Sequence, residues 1–551
     1  MDELEHRRIA CLLDDISDEE LWGGTSFTDE CSPDEHFDVL ETSNTEQSGE
    51  STDDEIHNDI QQTLSADCES YHESDDEIPL SMRVGCFYGK DGTKWNRRKP
   101  NLRTKNPSYN KITEKKGVTN LAKNAKTEID AWYIFFTGPM IEHIVFCTNI
   151  YIDKIKSNFT RERDVAHTTT REIKDLLGCL YMIGAIKCGH RNARDLWKLD
   201  GVGVDIVSCV MSEKRFEFLL RYIRFDDIRR REERKKFDKI THVRWLFESF
   251  ILQCKQSYSL SEFVTIDEKL QAFRGRCSFR HIDNSPKNVV HRLIQPIRNT
   301  GRNVTIDNWF TSVPLADELL NQKLTLLGTF RKNKTQIPQE FKITKNRPVF
   351  SSYFGFSGKK VLVSYKPKNN KIVLLLSTMH NDNSIDSSTG AAKKPNMITM
   401  YNATKGSVDT MDKKTENYTV ARRCIRWSLI VFYSMLNIGG LSAQIIFQEN
   451  TSIRKTRLVF LKTLARQLMQ EQMEYRLTLD CLPKQIKLRL NEYCNITRPN
   501  VGEIQRVRAS GRCTFCDRSK DRKATKVCTN CARLICRDHI IETCPDCFEA
   551  S

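Results

Sequence analysis

Two groups of residues in this chain have the types and spacing for metal chemistry. The first is a set of aspartates. The tetrapeptide Val-Thr-Ile-Asp occurs twice, in "FVTIDEKLQAF" and "NVTIDNWFTS", and puts Asp267 and Asp307 at the ends of two β-branched runs. A third acidic pair, Asp409 and Asp412, lies in "KGSVDTMD". Converging carboxylates are the ligands of two-metal phosphoryl transfer, where divalent ions activate the attacking oxygen and stabilise the leaving one. Strand ends suit this because the strand fixes the ligand while its tip stays open. Turns and strand ends also collect aspartates for local hydrogen bonds, so spacing alone leaves both readings open.

The second group is the tail "CTFCDRSKDRKATKVCTNCARLICRDHIIETCPDC". Its pairs are Cys513/Cys516, Cys528/Cys531, Cys536/His539 and Cys544/Cys547. Eight soft ligands in four x-x-spaced pairs suit two tetrahedral Zn²⁺ ions. A stretch this short cannot build an independent apolar core, so metal would supply the folding energy. We expect interleaved pairing: Cys513, Cys516, Cys536 and His539 on one zinc, Cys528, Cys531, Cys544 and Cys547 on the other. Sequential pairing is the alternative.

The elements that must carry these residues follow from pattern. Residues 1–80 hold 26 Asp/Glu and 2 Lys/Arg, leaving 84 Lys/Arg and 46 Asp/Glu in the rest. The head is therefore strongly acidic and reads as disordered, and the body is strongly basic, as for a polyanion-binding protein. Residues 81–115 read as a basic linker. Its "KWNRRKPNLRTK" is a candidate nuclear localisation signal, and the expected compartment is the nucleus. The first twenty residues show no secretory h-region, and twenty cysteines then imply a reducing compartment. The uncharged run from Trp427 is long enough for a membrane span, but its Asn437, Gly439, Gly440 and Gln444 favour a buried helix; no membrane partner is expected.

Helical periodicity runs from about Thr119 to Ser261, with Phe216, Leu219, Leu220 and Ile223 at i, i+3, i+4, i+7 after Ser212 as N-cap. Strand signals follow from Phe263 to about Ser377, then helix again from about Tyr418 to Tyr493. Two basic clusters could meet phosphates: Arg422, Arg423 and Arg426 before the apolar helix, and Arg512, Lys520 and Lys523 in the tail. Helix capping and solvation explain the first cluster equally well.

The ordered set "TIDEKLQAFRGRCSFR", "RNVTIDNWFTSVPLADELL", "LVSYKPK", "YNATKGSVDTMD" and "RRCIRWSLIVFYSMLNI" resembles the piggyBac family of DNA transposases, from about Glu128 to Cys547. The resemblance implies a multidomain α+β protein with an RNase H-like (α/β) catalytic core inserted in a split helical domain. By it, Asp267, Asp307 and Asp409 correspond to the catalytic triad and Asp412 to an additional aspartate beside it. Mg²⁺ or Mn²⁺ would be the cofactor, double-stranded DNA the partner and a homodimer the assembly. The reaction would be hydrolysis at a transposon end, hairpin formation and joining at a TTAA target. The implied layout is a helical part at 116–262, core at 263–333, an insertion domain at 334–395, core again at 396–418, a second helical part at 419–500 and the cysteine-rich domain at 511–548. The family's terminal domain recognises transposon-end DNA; a RING-type ubiquitin ligase is the other reading of a cross-brace.

One departure stands out. Only 39 residues lie between Asp267 and Asp307, and "HIDNSPKNVVHRLIQPIRNTG" crosses almost directly from the first motif to the second. The interval from Arg280 to Val290 lacks the second and third strands of the expected sheet. We therefore expect an open edge beside the first strand and a displaced metal site. Two functions stay open: an active transposase, or a transposase-derived DNA- or chromatin-binding protein that does not cut. An exon missed in the gene model would explain the gap equally.

Overall fold

A computed structural model describes residues 85–99, 112, 114–198, 201–269, 273, 285–479, 481–494, 511–520, 522–527 and 533–540. The acidic head and residues 280–284 of the Arg280–Val290 interval lie outside these residues. The chain divides into two compact units: residues 1–115 with 260–408, and residues 116–259 with 409–551.

The first unit is built on one eight-stranded mixed sheet. In chain order its strands are β1 (Cys86–Tyr88), β2 (Lys94–Asn96), β3 (Phe263–Ile266), β4 (Asn303–Ile306), β5 (Thr325–Thr329), β6 (Ser352–Ser357), β7 (Lys360–Lys368) and β8 (Lys371–Ser377). Their spatial order is β1-β2-β6-β7-β8-β5-β4-β3. Strands β3, β4 and β5 are parallel, and every other pairing is antiparallel. The stretch 334–395, expected as an insertion domain, supplies β6–β8 to this same sheet.

Both faces are covered, as a parallel core requires. On one face the helices Pro286–Leu293 and Val313–Asn321 bury Val290, Ile294, Leu315 and Leu319 against Ile266, Val304, Ile306 and Leu326. On the other, the helix Asn396–Lys405 buries Met397, Ile398 and Tyr401 against Leu327, Val363 and Leu375. Strand β4 is buried along its length although it alternates polar and apolar: Val304 and Ile306 enter the core, while Asn303 and Thr305 are satisfied by Thr325 and Thr404. The helix Val313–Asn321 starts where Ser312 caps the Leu315 N–H and Pro314 sits in the first turn.

The basic linker needs correcting. Its first part is the β1–β2 hairpin, which extends the sheet through Asn96 and Phe356. Trp95, at the start of the basic run, is fully buried and donates Nε1–H to the Gln336 carbonyl at 2.8 Å. Phe87 stacks edge-on against Phe341. A lone tryptophan among lysines and arginines looks like linker until its tertiary partner is known.

The second unit is helical and joins two chain segments. Tyr181 donates to the Leu436 carbonyl at 2.7 Å and accepts from Trp132 Nε1 at 3.0 Å. Glu128, almost fully buried, forms an ion pair with Lys455 and accepts from Gln467. The apolar helix Trp427–Thr451 lies within this unit, with two-thirds of its most apolar window buried and Phe136 against Gly439. It passes the length and hydropathy test for a membrane span, as a long core helix does.

Candidate active site and metal centre

The site's first element is the parallel pair β3–β4. Its register joins Phe263 to Asn303, Val264 to Val304, Thr265 to Thr305 and Ile266 to Ile306. The next residue on each strand is an aspartate, so Asp267 and Asp307 leave adjacent strands at the same level, about 4.8 Å apart along the hydrogen-bonding direction. This level ending comes from topology: the two strands are direct neighbours, with no strand between them. Among the described residues β3 is the last strand of the sheet; most of the stretch 270–284 that follows it lies outside them.

Asp307 is held by its own loop. Its Oδ1 accepts from the Trp309 N–H at 2.8 Å. Its carbonyl accepts from the Thr311 hydroxyl at 2.7 Å and the Thr311 N–H at 3.2 Å. Thr311 is fully buried and packs on Gly328 of β5, where a Cβ would sit 2.3 Å from Thr311 Oγ1 and 2.9 Å from the Ile306 carbonyl oxygen. Glycine is required there by close approach. Asp267 Oδ1 accepts from the Glu268 N–H at 3.0 Å.

Burial pushes the Asp307 carboxyl above the usual range; two backbone N–H groups oppose this and the Asp267 charge adds to it. Glu268 is raised as well, by desolvation first and then by its contact with Asp267. Adjacent carboxylates that resist ionising together are hard oxygen donors in want of a countercharge, and they fit Mg²⁺ or Mn²⁺.

The helix Asn396–Lys405 is pinned behind these strands. Thr265 donates to the Thr404 carbonyl at 2.7 Å, and the Thr305 and Thr404 hydroxyls meet at 3.0 Å. Tyr401, one turn earlier, places its hydroxyl 3.4 Å from Thr329 Oγ1; burial raises its pKa, and the Asp307 and Asp267 charges contribute. Sequence reasoning missed Glu268, Tyr401 and Thr311. All three stand inside quoted motifs, and only their neighbours in space mark them. Asp409 is exposed and Asp412 half-buried in the next helix, Ser407–Glu416, which spans the boundary between the two units.

The sulfur cluster is gathered more tightly. Ligand atoms of Cys513, Cys516, Cys536 and His539 all lie within 4.8 Å of one another. The Cys516–Cys536 sulfurs are 3.6 Å apart, and His539 Nδ1 is 3.7 Å from Cys513 and Cys516 and 3.3 Å from Cys536. Tetrahedral zinc with ordinary bond lengths separates its ligands by about 3.5–3.8 Å, so the quartet fits that ion. It is the interleaved set, not the sequential one. Desolvation works against the Cys513 thiolate, but the Cys536 and Phe515 backbone N–H groups and the facing ligands outweigh it and bring the thiol to about 6. Two two-stranded ladders, Gly511–Arg512 with Lys523–Ala524 and Lys526–Val527 with Leu534–Ile535, frame the site. Cys528, Cys531, Cys544 and Cys547 lie outside the described residues. Among the described residues no other group of three or more such ligands is this close.

The arginines divide. Arg422 donates to the Arg191 carbonyl at 2.8 Å and Arg426 to the Arg221 carbonyl at 2.9 Å, so both spend donors on the helical unit. Arg423 is exposed, as are Arg512, Lys520 and Lys523.

Comparison with known proteins fits this frame. Residues 127–286 and 283–443 match the family described as Transposase IS4. The two matched stretches meet at 283–286, inside the Arg280–Val290 interval. The chain is also similar to a piggyBac transposase, solved by cryo-EM as a synaptic complex with hairpin DNA. That likeness has a TM-score of 0.68 and 33% identity over 79% of this chain and 100% of that chain. The chain belongs to this transposase family. Within it, the chain is of the piggyBac type.

Proposed function

We propose that the chain cleaves and joins DNA strands at transposon ends, in an RNase H-like core, with TTAA as the target. Asp267 and Asp307 would hold divalent metal, joined by Asp409 and flanked by Asp412. The observation that carries this is the in-register β3–β4 pair ending in two carboxylates. Bound Mg²⁺ or Mn²⁺ would supply the Lewis acidity for in-line displacement at phosphorus. The protein's part is to fix the ligands: the Thr311 and Trp309 contacts orient Asp307, and the strand register orients Asp267. Arg331, 2.9 Å from the Asn308 side chain next to Asp307, is placed to meet a substrate phosphate.

The tail would bind two Zn²⁺, one on Cys513, Cys516, Cys536 and His539, and present Arg512, Lys520 and Lys523 to DNA. Arg423 is the member of its cluster best exposed for a phosphate. The assembly would be a homodimer working in the nucleus.

The end of the sheet at β3 and the break in the family match favour a second reading, a DNA-binding protein that does not cut. An assay for Mg²⁺-dependent nicking of the element's own ends separates the two. Nicking that is lost in Asp267→Ala establishes the first; a folded, DNA-binding chain that never nicks establishes the second.

A further inference from the structure

The N-terminal hairpin joins the acidic head to a basic cleft beside Asp307. The cleft, about 410 Å³, is lined by Ser312, Arg331, Asn333, Lys334, Thr335 and Gln336 among others, and its lining carries two positive side chains and no negative one. Arg331 reaches from it to Asn308 and lies 4.9 Å over the Trp309 ring, so the cleft borders the Asp307 loop. Lys342 donates to the Lys334 carbonyl at 3.3 Å, and its pKa is depressed by desolvation and then by the charge of Lys90.

The hairpin turn is fastened to this rim. The Lys90 N–H donates to the Thr335 carbonyl at 2.7 Å, and Trp95 Nε1 to the Gln336 carbonyl at 2.8 Å. Gly89 packs so closely that a Cβ would come 2.8 Å from Gln336 backbone atoms. Asp91 in the turn accepts from Thr93, at 3.1 and 2.7 Å, and from the Thr335 hydroxyl at the rim, at 3.4 Å.

The chain N-terminal to this hairpin is the acidic head, and its last acidic block is Glu73, Asp75, Asp76 and Glu77. From Gly89 at the rim back to Gly85 is about 13 Å of strand. From Gly85 to Glu77 the chain can span up to about 26 Å. The block is therefore within reach of the cleft on a short tether, at an effective concentration that can approach the millimolar range.

From this placement, and resting on the reading that DNA approaches Asp307, we infer that the Glu73–Glu77 block docks in the Arg331–Lys334 cleft and competes there with DNA phosphates. The head is then an internal polyanion that DNA must displace. Weak non-specific DNA is rejected, and a full transposon end with many phosphate contacts is accepted.

The test uses the full chain and a 24-base-pair duplex of arbitrary sequence. Zero-length carbodiimide coupling in low salt, mapped by mass spectrometry, should join the Glu73–Glu77 block to Lys334, Lys332 or Lys342, and excess duplex should suppress the product. Removing residues 1–80, or the quadruple change Glu73→Gln, Asp75→Asn, Asp76→Asn and Glu77→Gln, should tighten duplex binding about tenfold in low salt. That gain should vanish in an Arg331→Ala, Lys334→Ala background. Absence of the cross-link overturns docking. A cross-link that excess duplex leaves undiminished overturns competition, and a gain that persists without Arg331 and Lys334 overturns the cleft as its place. Because cross-linking does not depend on cleavage, a failure of the nicking assay leaves these results separately readable.

Discussion

The carboxylate pair and the sulfur quartet are both ligand sets, yet they are held in opposite ways. Asp267 and Asp307 stand at the ends of strands in a three-layer core that is built of apolar side chains and not of ligands. Cys513, Cys516, Cys536 and His539 stand in turns beside two-residue ladders, where the buried core is Cys513, Cys536 and Ala524, with Cys516 and Leu534 packed against it. There the ligands are most of the core. The proposed zinc would therefore bear on folding at the second site far more than a divalent ion would at the first.

Four substitutions test that contrast. The largest effect should come from Cys536→Ser, since structural zinc contributes on the order of 10 kcal/mol to folding such a module. Metal analysis of the purified chain should fall from about two zinc equivalents to about one or none, while the thermal transition of the sheet unit stays in place. If that transition moves as well, the two regions are not independent.

Gly328→Ala comes next. The new methyl must push Thr311 or the Ile306 carbonyl aside, and about an ångström of ligand displacement can cost roughly 100-fold in rate. Nicking should drop by about that factor with zinc content unchanged. Near-normal nicking would show that the Thr311 contact does not position Asp307.

Asp175 sharpens the comparison from the other side. It is fully buried in the helix Thr170–Ala185, and neither of its oxygens has a hydrogen-bond partner among the described residues. Desolvation, then the Glu172 charge, raises its pKa to about 8. The folded state holds this proton where the unfolded chain has lost it. Stability should therefore fall as pH rises from about 4 to about 8, by up to about 1.4 kcal/mol per unit. Asp175→Asn should flatten that slope in denaturant titrations at pH 5, 6.5 and 8. An unchanged slope would mean the carboxylate ionises freely.

The smallest effect belongs to Asp307→Asn without metal. A raised folded pKa means that ionised Asp307 weakens the fold above its unfolded pKa, so the amide should raise the melting temperature slightly at pH 7. Mn²⁺ should stabilise the parent chain and not the variant. A lower melting temperature for the metal-free variant would contradict the account.

Much of the carboxylate site was legible because local chemistry sets it: β-branched runs make strands, and a strand's last residue is where a ligand can be both fixed and open. The x-x-spaced cysteines were legible for the same reason. What sequence hid was tertiary. The β1–β2 strands are three residues each, and Trp95 is marked only by burial against a loop 240 residues away. Arg422 and Arg426 looked like phosphate ligands because their carbonyl partners, Arg191 and Arg221, are more than 200 residues distant. The short Asp267–Asp307 interval pointed to strands missing beside the first one; the sheet order shows that the two aspartate-bearing strands are direct neighbours in register.

Whether that pair is a metal site can be measured directly. Titration of the zinc-loaded chain with Mn²⁺, followed by loss of the free-ion electron paramagnetic resonance signal, should show bound manganese in the parent. Binding should be weakened at least tenfold by Asp267→Ala and by Asp307→Asn separately. Manganese binding that is absent from the parent, or indifferent to both substitutions, would contradict the claim that these two strand ends hold one catalytic metal centre.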